Sequence, residues 1–178
     1  MQGGLPEDER RLLAVRVESR ESVPLTEMLL AQREAERIFR TGDVPLVWTK
    51  AGQAAPATEL TIRVVSGPNA DRLVPRSTRG LTRLAIALPA ARRAYVHFPR
   101  VVAVARQWHV DPGILLGRVV AHELVHILLG DHDHATSGLM AAEINPRDAK
   151  PPRLTVTEAE SIHKALSQSA DARGALRR

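Results

Sequence analysis

The sequence predicts an α+β domain with about five short strands, two long helices and a smaller helical segment near the C-terminal end. Three observations predict it. Runs of β-branched or alternating apolar residues near 12–18, 46–49, 60–65, 84–88 and 94–98 have the spacing of strands. Two stretches, 25–40 and 112–129, carry apolar residues at helical spacing between start and stop signals. The chain has 178 residues, 44% of them hydrophobic, which is enough for one core and too short for a second domain of independent size.

Leu12 to Glu18, Leu46 to Thr49 and Leu60 to Val65 read as the first three strands, each bounded by turn residues. Between the first two lies a helix from Leu25 to Arg40. Met28, Ala31, Ala35, Ile38 and Phe39 give it an apolar stripe, Glu36 and Arg40 stand four apart as an ion pair, and Gly42 stops it. Residues 66–80 are rich in Gly, Pro, Asn and Ser and read as a loop. Leu84 to Leu88 and Ala94 to Phe98 are two further strands, with Pro89, Arg92 and Arg93 in their connection, and Val101 to Trp108 leads on to the second long helix. That helix has Asp111 as N-cap, Pro112 at its first position and Gly130 as its stop. It carries Ile114, Leu115, Val119, Val120, Leu124, Ile127 and Leu128, too many apolar residues for a surface helix. After Asn145-Pro146 and Pro151-Pro152, Thr157-Glu158-Ala159-Glu160 reads as a capping box opening a helix of about ten residues that buries Ile162 and Leu166. Residues 169–178 read as a polar tail.

The chemistry is concentrated in the second long helix, at His122-Glu123-Leu124-Val125-His126. Histidines four apart lie on one helical face, so both imidazoles reach one metal ion, and the intervening glutamate can act on a metal-bound water. An unsatisfied buried polar group costs about 1–3 kcal/mol, so a metal is the economical partner for these histidines inside an apolar helix. The bland alternative is a pair of core histidines bonded to carbonyls, with Glu123 at the surface. A catalytic zinc takes three protein ligands and leaves one position open. His132 is the expected third ligand; His134 and Asp131 are the alternatives, and Asp133 reads with Asp131 as a loop carboxylate.

With His132 included, the chain resembles the metzincin zinc metalloproteases, whose motif H-E-x-x-H-x-x-G-x-x-H is followed by a turn bearing methionine. Ser137-Gly138-Leu139-Met140 stands where that turn is expected, with Met140 eight residues past His132. The chain departs from the motif at Leu129, where the family has glycine, and Gly130 follows one residue later. Either Leu129 adopts the turn, or Gly130 takes over the bend and the loop is redrawn, which would bring His134, Asp131 or Asp133 into competition as ligands. Ala142 occupies the place of a tyrosine ligand found in some branches.

The resemblance implies a single catalytic domain over 1–178, with a twisted mixed sheet and the zinc helix in 10–131, and a small C-terminal subdomain with the Met-turn and one helix in 132–168. It also implies zinc as cofactor, Glu123 as general base in peptide-bond hydrolysis, and a substrate lying extended along an edge strand, Leu84–Leu88 or Ala94–Phe98. It further implies a secreted or periplasmic location. A cytoplasmic one is equally compatible with the residues themselves, and the first eight residues lack the pattern of a signal peptide.

Composition bounds the alternatives. No cysteine is present, which excludes disulfides and thiolate ligands, and no window of about twenty apolar residues suggests a membrane span. The net charge is +5, and eight arginines lie between Arg72 and Arg106 (72, 76, 79, 83, 92, 93, 100 and 106) with no acid among them. Such a field favours acidic partners, and beside an edge strand it implies a preference for acidic peptides. With only Tyr95 and Phe98 as aromatics and no binding motif, the segment reads as a solvated face rather than a nucleic-acid site. The rival to the enzyme is a catalytically inactive zinc-binding module whose 72–106 surface takes an anionic partner. Oligomeric state is not legible.

Overall fold

In the computed structural model, residues 12–19, 23–50, 59–77, 82–130, 134, 139–141 and 151–176 are described. Strands β1 (Leu13–Ser19), β2 (Leu46–Thr49), β3 (Leu60–Val65), β4 (Ala85–Leu88) and β5 (Arg93–His97) form one mixed sheet in the order β2-β1-β3-β5-β4. Neighbours are parallel except β4, which runs antiparallel to β5 and forms one edge. The helices are α1 (Leu25–Arg40), α2 (Ala70–Leu73), α3 (Phe98–Trp108), α4 (Pro112–Leu129) and α5 (Val156–Leu176).

The strands alternate as the pleat requires. In β3, Leu60, Ile62 and Val64 are buried while Thr61, Arg63 and Val65 are half-buried, so one sheet face feeds the core and the other carries polar groups. On the polar face the register sets Glu18 opposite Arg63 and Arg63 opposite Tyr95. Arg63 Nε donates to Glu18 at 2.5 Å.

Helix α4 is the centre of the domain, packing on α1, α3, α5 and strands β3 to β5. Its eighteen residues have a mean hydropathy of 1.4, apolar enough to cross a membrane, yet 67% of it is buried within the fold, as a core helix is. The Asp111 carboxylate accepts from the Gly113 and Ile114 amides at 2.7 and 3.2 Å, capping the helix as its sequence predicts. The contact with α1 is backbone-close. A Cβ on Gly117 would lie 2.6 Å from the Ala31 carbonyl oxygen, so these two helices meet only because that position is glycine. Beside it, buried Glu34 on α1 accepts from Arg37 at 2.7 and 2.9 Å and from Arg118 of α4 at 3.3 Å.

Several boundaries differ from expectation. Phe98 opens α3 instead of closing β5, because the His97 ring accepts from the Arg100 amide at 3.3 Å and Pro99 suits the first helical turn. One turn of helix, α2, forms inside the stretch read as loop. Helix α5 runs 21 residues rather than about ten, so most of the expected tail is helical. Its capping box is also two residues earlier: Thr155 Oγ1 accepts from the Glu158 amide at 3.2 Å, and Glu158 Oε2 accepts from the Thr155 amide at 2.7 Å. The Thr-x-x-Glu pattern occurs at both 155–158 and 157–160, and docking decides between them. Leu154 N donates to Thr41 Oγ1 at 3.1 Å and His163 Nε2 bonds the Gly42 carbonyl at 2.9 Å, which seats the start of α5 on the α1–β2 turn.

Candidate metal centre

His122 and His126 project from the same face of α4, and their Nε2 atoms lie 3.0 Å apart. The His122 Nδ1 is 2.7 Å from the Leu139 carbonyl oxygen and donates to it. That bond assigns the proton to Nδ1 and leaves Nε2 with a bare lone pair turned toward His126, the arrangement that orients metal-binding imidazoles. Leu139 and Met140 form a turn and both are buried, so the turn is tied to the helix through this carbonyl.

The third ring to arrive is His134. Its centroid lies 5.4 Å from that of His122 and 5.0 Å from that of His126, and one ligand atom from each of the three falls within 4.8 Å of the others. His132 and Asp131, the expected third ligand and one alternative to it, lie outside the described residues, as does Asp133. The helix exit supplies the physical background. Leu129 is the last helical residue and Gly130 takes the bend with φ 78° and ψ −150°, a conformation open essentially to glycine alone. Nothing stands within 4 Å of where a Cβ on Gly130 would be, so backbone conformation and not crowding requires the glycine.

These residues fit a zinc ion on the chemistry of the donors. Two nitrogens bound at 2.0–2.1 Å around a tetrahedral ion sit about 3.3 Å apart, close to the 3.0 Å observed between the helix histidines. Burial, as the largest influence, lowers the proton affinity of His122, and the facing His134 lowers it further. A neutral imidazole is the form that binds metal. The Leu139 carbonyl and the Glu158 carboxylate of α5 act in the opposite sense.

Glu123 is buried beside this cluster, 7% exposed. Burial pushes its carboxyl up to about 8, and the guanidinium of Arg83 acts in the opposite direction. The bland alternative, in which Glu123 sits at the surface, is not what the structure shows. Two groups escaped notice in the sequence. Glu158 reads there only as a capping residue, and Arg83 only as one of eight arginines; neither carries a local signal of nearness to His122 or Glu123, which only packing creates.

The arginine-rich run is dispersed. Arg100 donates to Asp71, the residue just before the acid-free stretch, and to the Arg83 carbonyl at 2.8 Å, while Arg93 stands beside Tyr95. Arg79 lies outside the described residues.

No protein-family model matches the chain, and no curated protein matches it. Among solved structures it is similar to a zinc-dependent peptidase from Methanocorpusculum labreanum, at 16% identity and a TM-score of 0.46, over 84% of this chain and 92% of that one. At that distance the likeness carries no functional argument, and the reading rests on the three-histidine cluster and the carboxyl beside it.

Proposed function

We propose that this chain is a zinc-dependent peptidase in which His122, His126 and His134 hold the metal and Glu123 is the general base. The observation that supports it is the convergence of three imidazoles, one of them fixed in the ligating tautomer by Leu139, next to a buried glutamate. A zinc ion held there supplies Lewis acidity, polarising a carbonyl and acidifying water. Glu123 takes the proton of the attacking water on a carboxylate oxygen and returns it to the leaving nitrogen, so that the C–N bond breaks as an amine departs. Its burial keeps proton affinity high enough for that return.

A metzincin-like reading is the finer form of this proposal, with Met140 as the methionine of the turn. Its support is the H-E-x-x-H spacing and the burial of Met140 in a turn bonded to His122. With His134 the third histidine follows His126 by eight residues rather than the family's six, in keeping with a helix that ends at Gly130 instead of 129.

Metal analysis of the purified chain, paired with peptide cleavage by wild type and Glu123→Ala, tests the proposal. The variant is expected to keep one zinc and to lose cleavage. Cleavage unchanged by the substitution would overturn the assignment, and absence of cleavage in both would favour the inactive zinc-binding module.

A further inference from the structure

We propose that Arg83 is the specificity-determining residue of this site, its guanidinium receiving a carboxylate of the substrate from an Asp or Glu side chain or from the chain terminus. This deepens the peptidase reading and rests on it.

Arg83 precedes the edge strand β4 by two residues, and the backbone there is anchored at two successive carbonyls. Arg100 Nη1 donates to the Arg83 carbonyl at 2.8 Å, and the His97 amide donates to the Leu84 carbonyl at 2.8 Å. Arg100 is itself ion-paired to Asp71. Its side chain is the opposite case: Arg83 is exposed, and among the described residues its guanidinium makes no hydrogen bond or ion pair. Arg37, Arg63, Arg100 and Arg118 are all held by carboxylates. A pinned backbone with an unengaged head group is suited to an incoming anion.

Position supplies the second half of the argument. Among the described residues strand β4 has no partner on its outer side, and it packs against α4, the helix that carries His122 and His126, so an extended peptide added to that edge would run past Arg83 alongside that helix. Arg83 is also the cation whose charge acts on the buried Glu123 carboxyl. Glu123 is needed for the proton and cannot also serve as the permanent partner of Arg83. A guanidinium matches a carboxylate through two parallel N–H···O bonds, and such a pair strengthens where substrate displaces water.

The test uses the full zinc-loaded chain carrying Glu123→Gln, which removes turnover and leaves binding. Three fluorescent peptides of one sequence are compared by anisotropy: internal Glu with an amidated end, internal Gln with an amidated end, and internal Gln with a free carboxylate. One carboxylate peptide is expected to bind roughly tenfold more tightly than the amidated Gln peptide, and which one does so names the source. Adding Arg83→Gln is expected to abolish that difference, and Arg83→Glu to favour a Lys peptide instead. Discrimination that survives Arg83→Gln, equal binding of all three peptides, or binding of none would each overturn the proposal. Discrimination by Arg83 without cleavage by the wild-type chain would overturn the peptidase reading and leave the carboxylate site standing.

Discussion

Replacing Gly117 with alanine adds one methyl group where α4 crosses α1, and the structure says what it would strike. The new Cβ would sit 2.6 Å from the Ala31 carbonyl oxygen, 2.7 Å from the Glu34 Cβ and 3.1 Å from the Ala31 Cα. Favourable carbon contacts begin at about 3.5 Å, so α1 would have to retreat by roughly 0.8 Å. Two of the three atoms struck are backbone, which cannot rotate aside, and the displaced residue Glu34 carries the ion pairs to Arg37 and Arg118. Overpacking of this kind costs about 1–3 kcal/mol, and rigid backbone puts the cost near the upper end. Alanine recovers about 1 kcal/mol of helix propensity. The net loss is therefore about 2 kcal/mol, or a fall in Tm of roughly 4–8 °C for a domain of this size. Thermal unfolding followed by circular dichroism measures it directly. Zinc binding at low temperature should persist, because His126 lies nine residues on, half a turn round the helix from the clash. An unchanged or raised Tm would refute the close approach of α1 and α4.

The other predictions concern the site and its support. His134→Ala should abolish tight zinc binding while His132→Ala retains it, as measured by metal content after dialysis; the reverse pattern would return the third position to His132. In metal-free protein, Glu123→Gln should stabilise the chain at pH 9 and have little effect at pH 5. Burial raises the folded carboxyl to about 8 from the ordinary 4.5, so the folded state holds the extra proton between them. Wild-type stability is therefore fully present below about 4.5 and lost as pH rises through 8, with a ceiling on the order of 5 kcal/mol that water entering the site reduces. A stability difference between the two proteins that is the same at both pH values would exclude this. Thr155→Ala should cost about 1 kcal/mol, whereas Thr157→Ala, exposed and outside the observed cap, should be nearly neutral in urea unfolding. Equal losses would place the helix start where the second Thr-x-x-Glu puts it.

Much of this architecture is legible in the chain because the signals are local. Five strands, α1 and α4 follow from apolar period and from punctuation by Asp111, Pro112 and Gly130, each acting within a few residues. The placement of His122 and His126 on one face likewise needs only the pitch of a helix. Leu129 and Gly130 posed two outcomes, and the backbone at Gly130 selects between them, since φ 78° with ψ −150° is available to glycine and denied to leucine.

Long-range contacts were not legible. His134 joins two histidines eight and twelve residues away through a loop whose path no period encodes, and Leu139 fixes the His122 tautomer from seventeen residues on. Arg83 looks identical to its seven neighbours in the arginine run until β4 packs on α4 and its charge acts on Glu123. Helix α5 is capped at Thr155 because Leu154 and His163 find Thr41 and Gly42, contacts spanning more than a hundred residues. Pitch, pleat and capping are properties of neighbours along the chain and so are written in it; which charged or ring group faces which depends on distances that exist only after the core has closed.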